Sequence, residues 1–245
     1  MKIQASDHTC LRDGDHNKLR LVLSSNYCVI ALYLTMYNKI HLSFFLFIIV
    51  SVGQGQEITT VKIGAQTWMQ ENLKVYYFRN GDPIERVQTD KAWDKAGVAN
   101  APIACSYTNT SQNEARYGML YNWYAVTDPR GLCPSGWRVP SNHDWKVLKK
   151  YLGGKKTAGG AMKSTKGWAD PNLLASNSSG FTALPGGSRD YFGEFLMEGS
   201  EAVWWSSTEQ GRVIAWARLV QASNGRLNKL AASKGNGNSV RCIKE

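Results

Sequence analysis

Histidine is scarce in this chain and badly placed for chemistry. There are four, and three of them (His8, His16 and His41) fall within the first 41 residues. Only His143 lies in the body of the sequence. One histidine does not make a zinc site of the usual kind. A Ser-His-Asp arrangement would have to use His143, which sits beside Asp144 in the first turn of an expected helix, an ordinary place for an exposed polar residue. Long apolar runs are also lacking. The most marked one, residues 42–53, is too short to cross a bilayer as a helix, which needs ~20 apolar residues. It has the length of a signal-peptide apolar segment. Lys39 precedes it, Gly53 and Gly55 follow, and cleavage after Gly55 would leave Gln56 as the new N-terminus.

Met36 opens a more ordinary signal peptide than Met1 does. Residues 1–35 therefore read as an upstream extension or a mis-assigned start, and residues 36–55 as a signal peptide. Two alternatives stay open: a genuine extension with a second short apolar run at Cys28–Leu34, and an uncleaved membrane anchor. No cysteine follows the apolar run closely, so a lipid-anchored start is not expected. Loss of residues 1–55 leaves 24 basic and 16 acidic residues, a net charge of +8 against +10 for the whole chain. The expected location is secreted or at the cell surface. Three cysteines remain, Cys105, Cys133 and Cys242. An oxidising compartment favours a disulfide, three cysteines cannot all pair, and three buried thiols are the other possibility.

What the chain has in plenty is tryptophan. All nine lie between Trp68 and Trp216, and such side chains bury large areas in a core. Basic residues are spread out. The densest group is Lys146, Lys149, Lys150, Lys155 and Lys156, which reads as a solvated helix face with lysines near its C-terminus. No groove-reading helix or paired aromatic platform suggests a nucleic-acid partner.

Val61–Ile63 and Gln66–Met69 flank Gly64-Ala65 as a β-hairpin. Residues 80–83 form a turn cluster, Asn-Gly-Asp-Pro, and residues 89–113 read as mostly loop. Glu114–Val126 reads as a helix, with Met119, Leu120, Trp123 and Tyr124 on one face. Ser141 caps a second helix, with Asp144 three residues on; Trp145, Leu148 and Leu152 form its apolar face and Gly153-Gly154 stops it. Residues 155–199 read as a long ordered loop, packed by Trp168, Phe181, Leu184, Tyr191 and Phe192. Strands are expected at 203–207, 213–220, weakly at 225–227, and at 239–243. No repeat and no second folded domain is visible.

These segments carry a family pattern. Gln66-Thr67-Trp68-Met69-Gln70-Glu71-Asn72-Leu73-Lys74 opens it, and Tyr117-Gly118-Met119-Leu120-Tyr121-Asn122-Trp123-Tyr124-Ala125-Val126 follows. Next come Cys133-Pro134-Ser135-Gly136-Trp137-Arg138-Val139-Pro140-Ser141 and Gly180-Phe181-Thr182-Ala183-Leu184-Pro185-Gly186-Gly187. Trp204-Trp205-Ser206-Ser207-Thr208-Glu209 and Ser239-Val240-Arg241-Cys242 complete it. In this order, over residues 61–245, they resemble the Fibrobacter succinogenes major paralogous domain family of secreted and surface bacterial proteins. The family brings no established activity with it. A more distant likeness is to C-type-lectin-like folds of the formylglycine-generating-enzyme branch. It implies an α+β architecture: two helices packed on a small twisted antiparallel sheet that joins the termini, with long loops. It also implies a Cys133–Cys242 disulfide between the helix region and the last strand.

The chemistry of that branch does not follow. Formylglycine generation needs two reactive cysteines close together, and Cys242 has no neighbour within 100 residues. Asp170-Pro171-Asn172 resembles a lectin's calcium-binding triplet, but Trp205-Ser206-Ser207 stands where further oxygen ligands would be needed, and calcium takes six to eight. Among Asp190, Glu194, Glu198, Glu201 and Glu209 no spacing singles out a glycosidase pair. No cofactor is expected. What remains is a binding surface: Arg189, Asp190 and Tyr191, next to flexible glycines, with Trp205, could line a pocket for a polar ligand such as a glycan. The alternative places the tryptophans in the core and leaves Arg189 and Asp190 holding the loop together. The expected function is a secreted, non-catalytic binding module acting on a glycan or an envelope component, with a two-carboxylate carbohydrate-active enzyme or a structural envelope protein as alternatives. Membrane contact would come only through an uncleaved signal segment.

Overall fold

The computed structural model describes residues 58–245 throughout and, before them, the backbone of three strands. These are β1 (Arg20–Ser24), β2 (Tyr27–Leu32) and β3 (Leu46–Val50), paired antiparallel in that order. They belong to a compact unit, Met1–Glu57, separate from Ile58–Glu245. The processing boundaries expected at residues 35 and 55 lie outside the described residues.

The larger unit opens with the expected hairpin. β4 (Thr60–Ile63) pairs with β5 (Gln66–Met69), with Ile63 opposite Gln66. Gly64 makes the turn at φ +61°, a left-handed conformation that glycine adopts without a Cβ penalty. After β6 (Glu85–Arg86), Thr89 caps α1 (Asp90–Val98), accepting from the Ala92 N–H at 3.3 Å. β7 (Ile103–Ser106) follows. Residues 89–113 are therefore not mostly loop. Trp93, fully buried, supplied too little periodicity on its own to mark α1.

The expected helix over Glu114–Val126 is three elements: α2 (Ser111–Tyr117), β8 (Met119–Tyr121) and α3 (Trp123–Val126). Gly118, at φ +75°, ends α2. The Asn122 side chain accepts from the Ala125 N–H at 3.0 Å and starts α3. β9 (Trp137–Arg138) leads to α4 (Asn142–Tyr151). Its capping box is closed: the Asp144 carboxylate accepts from the Ser141 N–H at 2.7 Å, and the Ser141 hydroxyl accepts from the Asp144 N–H at 3.3 Å.

Residues 155–199 contain α5 (Ala158–Met162), β10 (Gly186–Arg189) and β11 (Phe195–Glu198). Lys163, fully buried, holds this region down. Its ammonium donates to the carbonyls of Leu173, Gln221, Ala222 and Asn224 at 2.7–3.2 Å. Burial pushes its pKa down to about 8, while four oxygen acceptors favour the charged form.

The last strands are β12 (Glu201–Glu209), β13 (Ile214–Gln221), β14 (Asn228–Ser233), β15 (Asn238–Ser239) and β16 (Ile243–Lys244). The weak strand expected at 225–227 lies at 228–233 instead.

Two sheets result. One, of nine strands, runs β11-β10-β12-β15-β8-β7-β6, with β13 and β14 branching from β12. The other runs β4-β5-β16-β9. The small antiparallel sheet joining the ends of the domain is thus present, with Ile243 opposite Trp68. The larger sheet was not expected, and it is mixed: β10–β12, β12–β15 and β6–β7 are parallel. The architecture is α+β, with five α-helices among the described residues rather than two.

Adjacent strand residues point to opposite faces, so Trp204-Trp205 in β12 builds two cores at once. Trp204 shares one core with Trp68, Trp145 and Phe181; Trp205 shares another with Tyr121, Trp137, Cys133 and Cys242. Cys133 and Cys242 are joined as a disulfide, 109 residues apart in sequence, and Cys105 is a buried free thiol.

Candidate functional site

Arg189, Asp190, Tyr191 and Trp205 do not line a common pocket. The Arg189 side chain is 0% exposed. It donates to the carbonyls of Gly193, Val87 and Gln88 and to the Asp90 carboxylate at 2.7–3.3 Å. Its guanidinium lies 4.6 Å from the ring centres of both Trp93 and Phe195. It fastens the β10–β11 turn to α1. The Asp190 carboxylate accepts from the N–H groups of Gly193 and Glu194 at 2.8 and 2.9 Å, which shapes that turn. Trp205 is fully buried, and its indole donates to the Tyr121 carbonyl at 2.7 Å. Only Tyr191 presents substantial surface, 45% exposed and stacked on Phe192. The pocket expectation is corrected: Arg189 and Trp205 meet the fold's own groups and have no surface left for a ligand.

The residues that do surround open space come from other parts of the motifs. A cleft of about 240 Å³ is bounded by Gln70, Glu71, Asn72 and Lys74 after β5, by Arg116, Tyr117 and Gly118 at the end of α2, by Thr182 and Leu184, and by Arg241. Local backbone bonding brings these segments together. The Leu73 N–H donates to the Val240 carbonyl at 2.8 Å, and the Met119 N–H donates to the Leu73 carbonyl at 3.0 Å. A Cβ at Gly118 would lie 2.9 Å from that carbonyl oxygen, so the chain can approach here only with glycine.

Asn72 is the hub. Its amide donates to the Tyr117 carbonyl at 2.9 Å and to the Ser239 hydroxyl at 3.3 Å. Its carbonyl oxygen accepts from the Trp204 indole at 2.8 Å and from Arg241 Nε and Nη2 at 3.1 and 2.7 Å. Arg241 Nη1 donates to the Phe181 carbonyl, and its guanidinium lies 4.0 Å from the Phe181 ring centre.

Arg241 is 1% exposed and forms no ion pair with any carboxylate among the described residues. Burial works against its charge and the Glu71 carboxylate works for it, yet an arginine stays protonated in proteins. A guanidinium has five N–H donors. Three act here, which leaves two without an acceptor among the described residues.

The charge around the cleft is lopsided. Lys74, Arg116 and Arg241 face a single acid, Glu71, which pairs with Lys74 at 3.6 Å in an exposed contact. Such a lining can bind an anionic or strongly polar group. With one carboxylate it does not offer the acid pair that glycosidic cleavage uses. Among the described residues no three of His, Cys, Asp and Glu gather as a metal site.

Sequence reasoning did not single out Asn72, Lys74, Arg116, Thr182 or Arg241. The available signal was that all but Arg116 lie inside the quoted motifs, where polar members with no local role invite a long-range one. No curated protein and no solved structure matches the chain. The model of the Fibrobacter succinogenes major domain matches residues 61–244, nearly the whole of the unit that contains the cleft. The chain belongs to the Fibrobacter succinogenes major domain family.

Proposed function

We propose that this domain is a non-catalytic binding module, secreted or held at the bacterial cell surface, and that it takes a polar ligand with an acidic group, such as a glycan carrying a carboxylate, in the Arg241 cleft. One observation carries the reading: four separate motif segments converge on a cleft whose wall contains a buried arginine with no carboxylate partner. A buried unpaired cation is costly, and an anionic ligand would offset that cost. Lys74 and Arg116 would meet the ligand at the rim, with Gln70 and Thr182 as neutral hydrogen-bonding groups. The domain is also proposed to follow the C-type-lectin-like plan. The last strand, β16, pairs with β5 of the opening hairpin, and a disulfide ties the segment before α4 to the chain beside β16.

Titration calorimetry of the whole chain against acidic and neutral mono- and disaccharides, which fit the cleft but are too short for binding that grows with polymer length, tests the reading. Binding should favour acidic members and weaken about tenfold in Lys74→Gln/Arg116→Gln, two rim residues that take no part in the hydrogen bonds of the Asn72 hub. No binding to any member, or identical binding by this variant, would overturn it.

A further inference from the structure

A second cationic site lies away from the residues of the cleft. Arg218 on β13 stands directly opposite Lys229 on β14. Two like charges in that position sit about 5 Å apart at Cβ and destabilise a strand pair. Arg218 is buried and donates to the Ala217 carbonyl and to Asn142 Oδ1, both at 2.8 Å, which ties β13 to the start of α4. Partial burial, then Arg218, then Lys149 of α4 push the Lys229 ammonium below its ordinary range. Lys146 and Lys150 are exposed on the same helix. None of these five cations pairs with a carboxylate among the described residues. The sequence alone suggested a solvated helix face. The fold adds two cations from a sheet, one of them anchored and buried, at a cost in repulsion that a solvated face does not require.

One aromatic ring completes the corner. Trp216 lies two residues before Arg218 on the same face of β13, and the Lys229 ammonium sits 3.2 Å from its ring centre. Grooves for single-stranded nucleic acid use successive aromatics as stacking platforms, and this corner has one ring among several cations. Such a mixture suits a chain of acidic sugars, in which carboxylates recur along a polymer that also has apolar C–H surface. We infer that the corner between α4 and the β13–β14 pair is a binding surface for an anionic polysaccharide, contacted by Lys149, Lys229 and Trp216 and independent of the Arg241 cleft.

The test uses the full chain and oligogalacturonates of defined length, with neutral xylo-oligosaccharides, an oligothymidylate and anionic phospholipid vesicles as comparisons. Oligogalacturonate should bind with an affinity that rises with length and falls with salt, since exposed charges are screened. Lys149→Gln/Lys229→Gln should lose about tenfold or more, and Lys74→Gln/Arg116→Gln should leave this length-dependent binding in place. Loss in the cleft variant with no loss in the corner variant would overturn the inference while sparing the cleft reading. Absence of binding at low salt would overturn it outright. Equal or tighter binding of oligothymidylate or vesicles would overturn the assignment to polysaccharide.

Discussion

Asp144 shows how one carboxylate can serve three masters. Burial opposes its ionisation, but Arg138, in a bidentate pair at 2.7 and 2.8 Å, and the hydroxyl and N–H of Ser141 outweigh burial and hold its pKa at about 2. The sign follows from linkage. A carboxyl depressed in the folded state contributes stability that is complete above its unfolded value, ~3.9, and is lost as pH falls through the folded one. Urea unfolding followed from pH 5 to pH 2 should therefore show a loss of about 2 kcal/mol from this group. In Asp144→Asn much of that pH dependence should be gone and the neutral-pH stability lower by a similar amount. An unchanged acid limb would contradict the assignment. Much of this cluster was legible beforehand, because Ser141 and Asp144 are three residues apart and their bond is local. Asn72 and Arg241 were not, because they lie 169 residues apart and nothing local in either residue points to the other.

At the level of elements, short-range signals succeeded and spacing alone misled. Gly64-Ala65 announced its hairpin, and Val203–Ser207 announced a strand that the structure extends to Glu209. The apolar positions 119, 120, 123 and 124 fit a helical face equally well as a three-residue strand followed by one turn of helix. Gly118 and Asn122 decided between them, by ending one element and capping the next.

Helix α5 gives a test of packing against propensity. Gly159 is a poor helix residue, and alanine would gain about 1 kcal/mol in an isolated helix. Here, however, its Cβ would lie 2.3 Å from the Arg226 carbonyl oxygen, a backbone atom that cannot swing aside. Gly159→Ala should therefore lower stability by roughly 1–3 kcal/mol, as overpacking does. A thermal melt at or above the wild-type midpoint would show that residues 225–226 yield more readily than their packing suggests.

For the molecule as a whole, the Cys133–Cys242 link dominates. In the chain-entropy model a closed loop of this length stabilises by about 5 kcal/mol. Denaturation of the reduced chain should fall below that of the oxidised chain by about that amount. Alkylation of the native oxidised chain should label none of Cys105, Cys133 and Cys242, because the last two are joined and Cys105 is buried, with burial raising its pKa to about 11. Label on Cys133 and Cys242 would refute the pairing. Among the described residues no helix is long and apolar enough to cross a membrane. The family and the closing sheet could be read from ordered motifs. The nine-stranded sheet could not, because its parallel pairings join segments that no turn connects.

The same link has a mechanical side. A pull applied at the two ends of the matched segment travels from its first residues to Cys133 and then crosses the disulfide to Cys242. The 108 residues between the two cysteines carry no tension along the backbone while the bond is intact. They include α4, the Lys163 anchor and all of β10 to β15. Lys149, Trp216 and Lys229 lie in that sheltered stretch, whereas Asn72, Lys74 and Arg116 lie in the part that bears the load. A domain stretched between two attachments would then give up its cleft before its cationic corner.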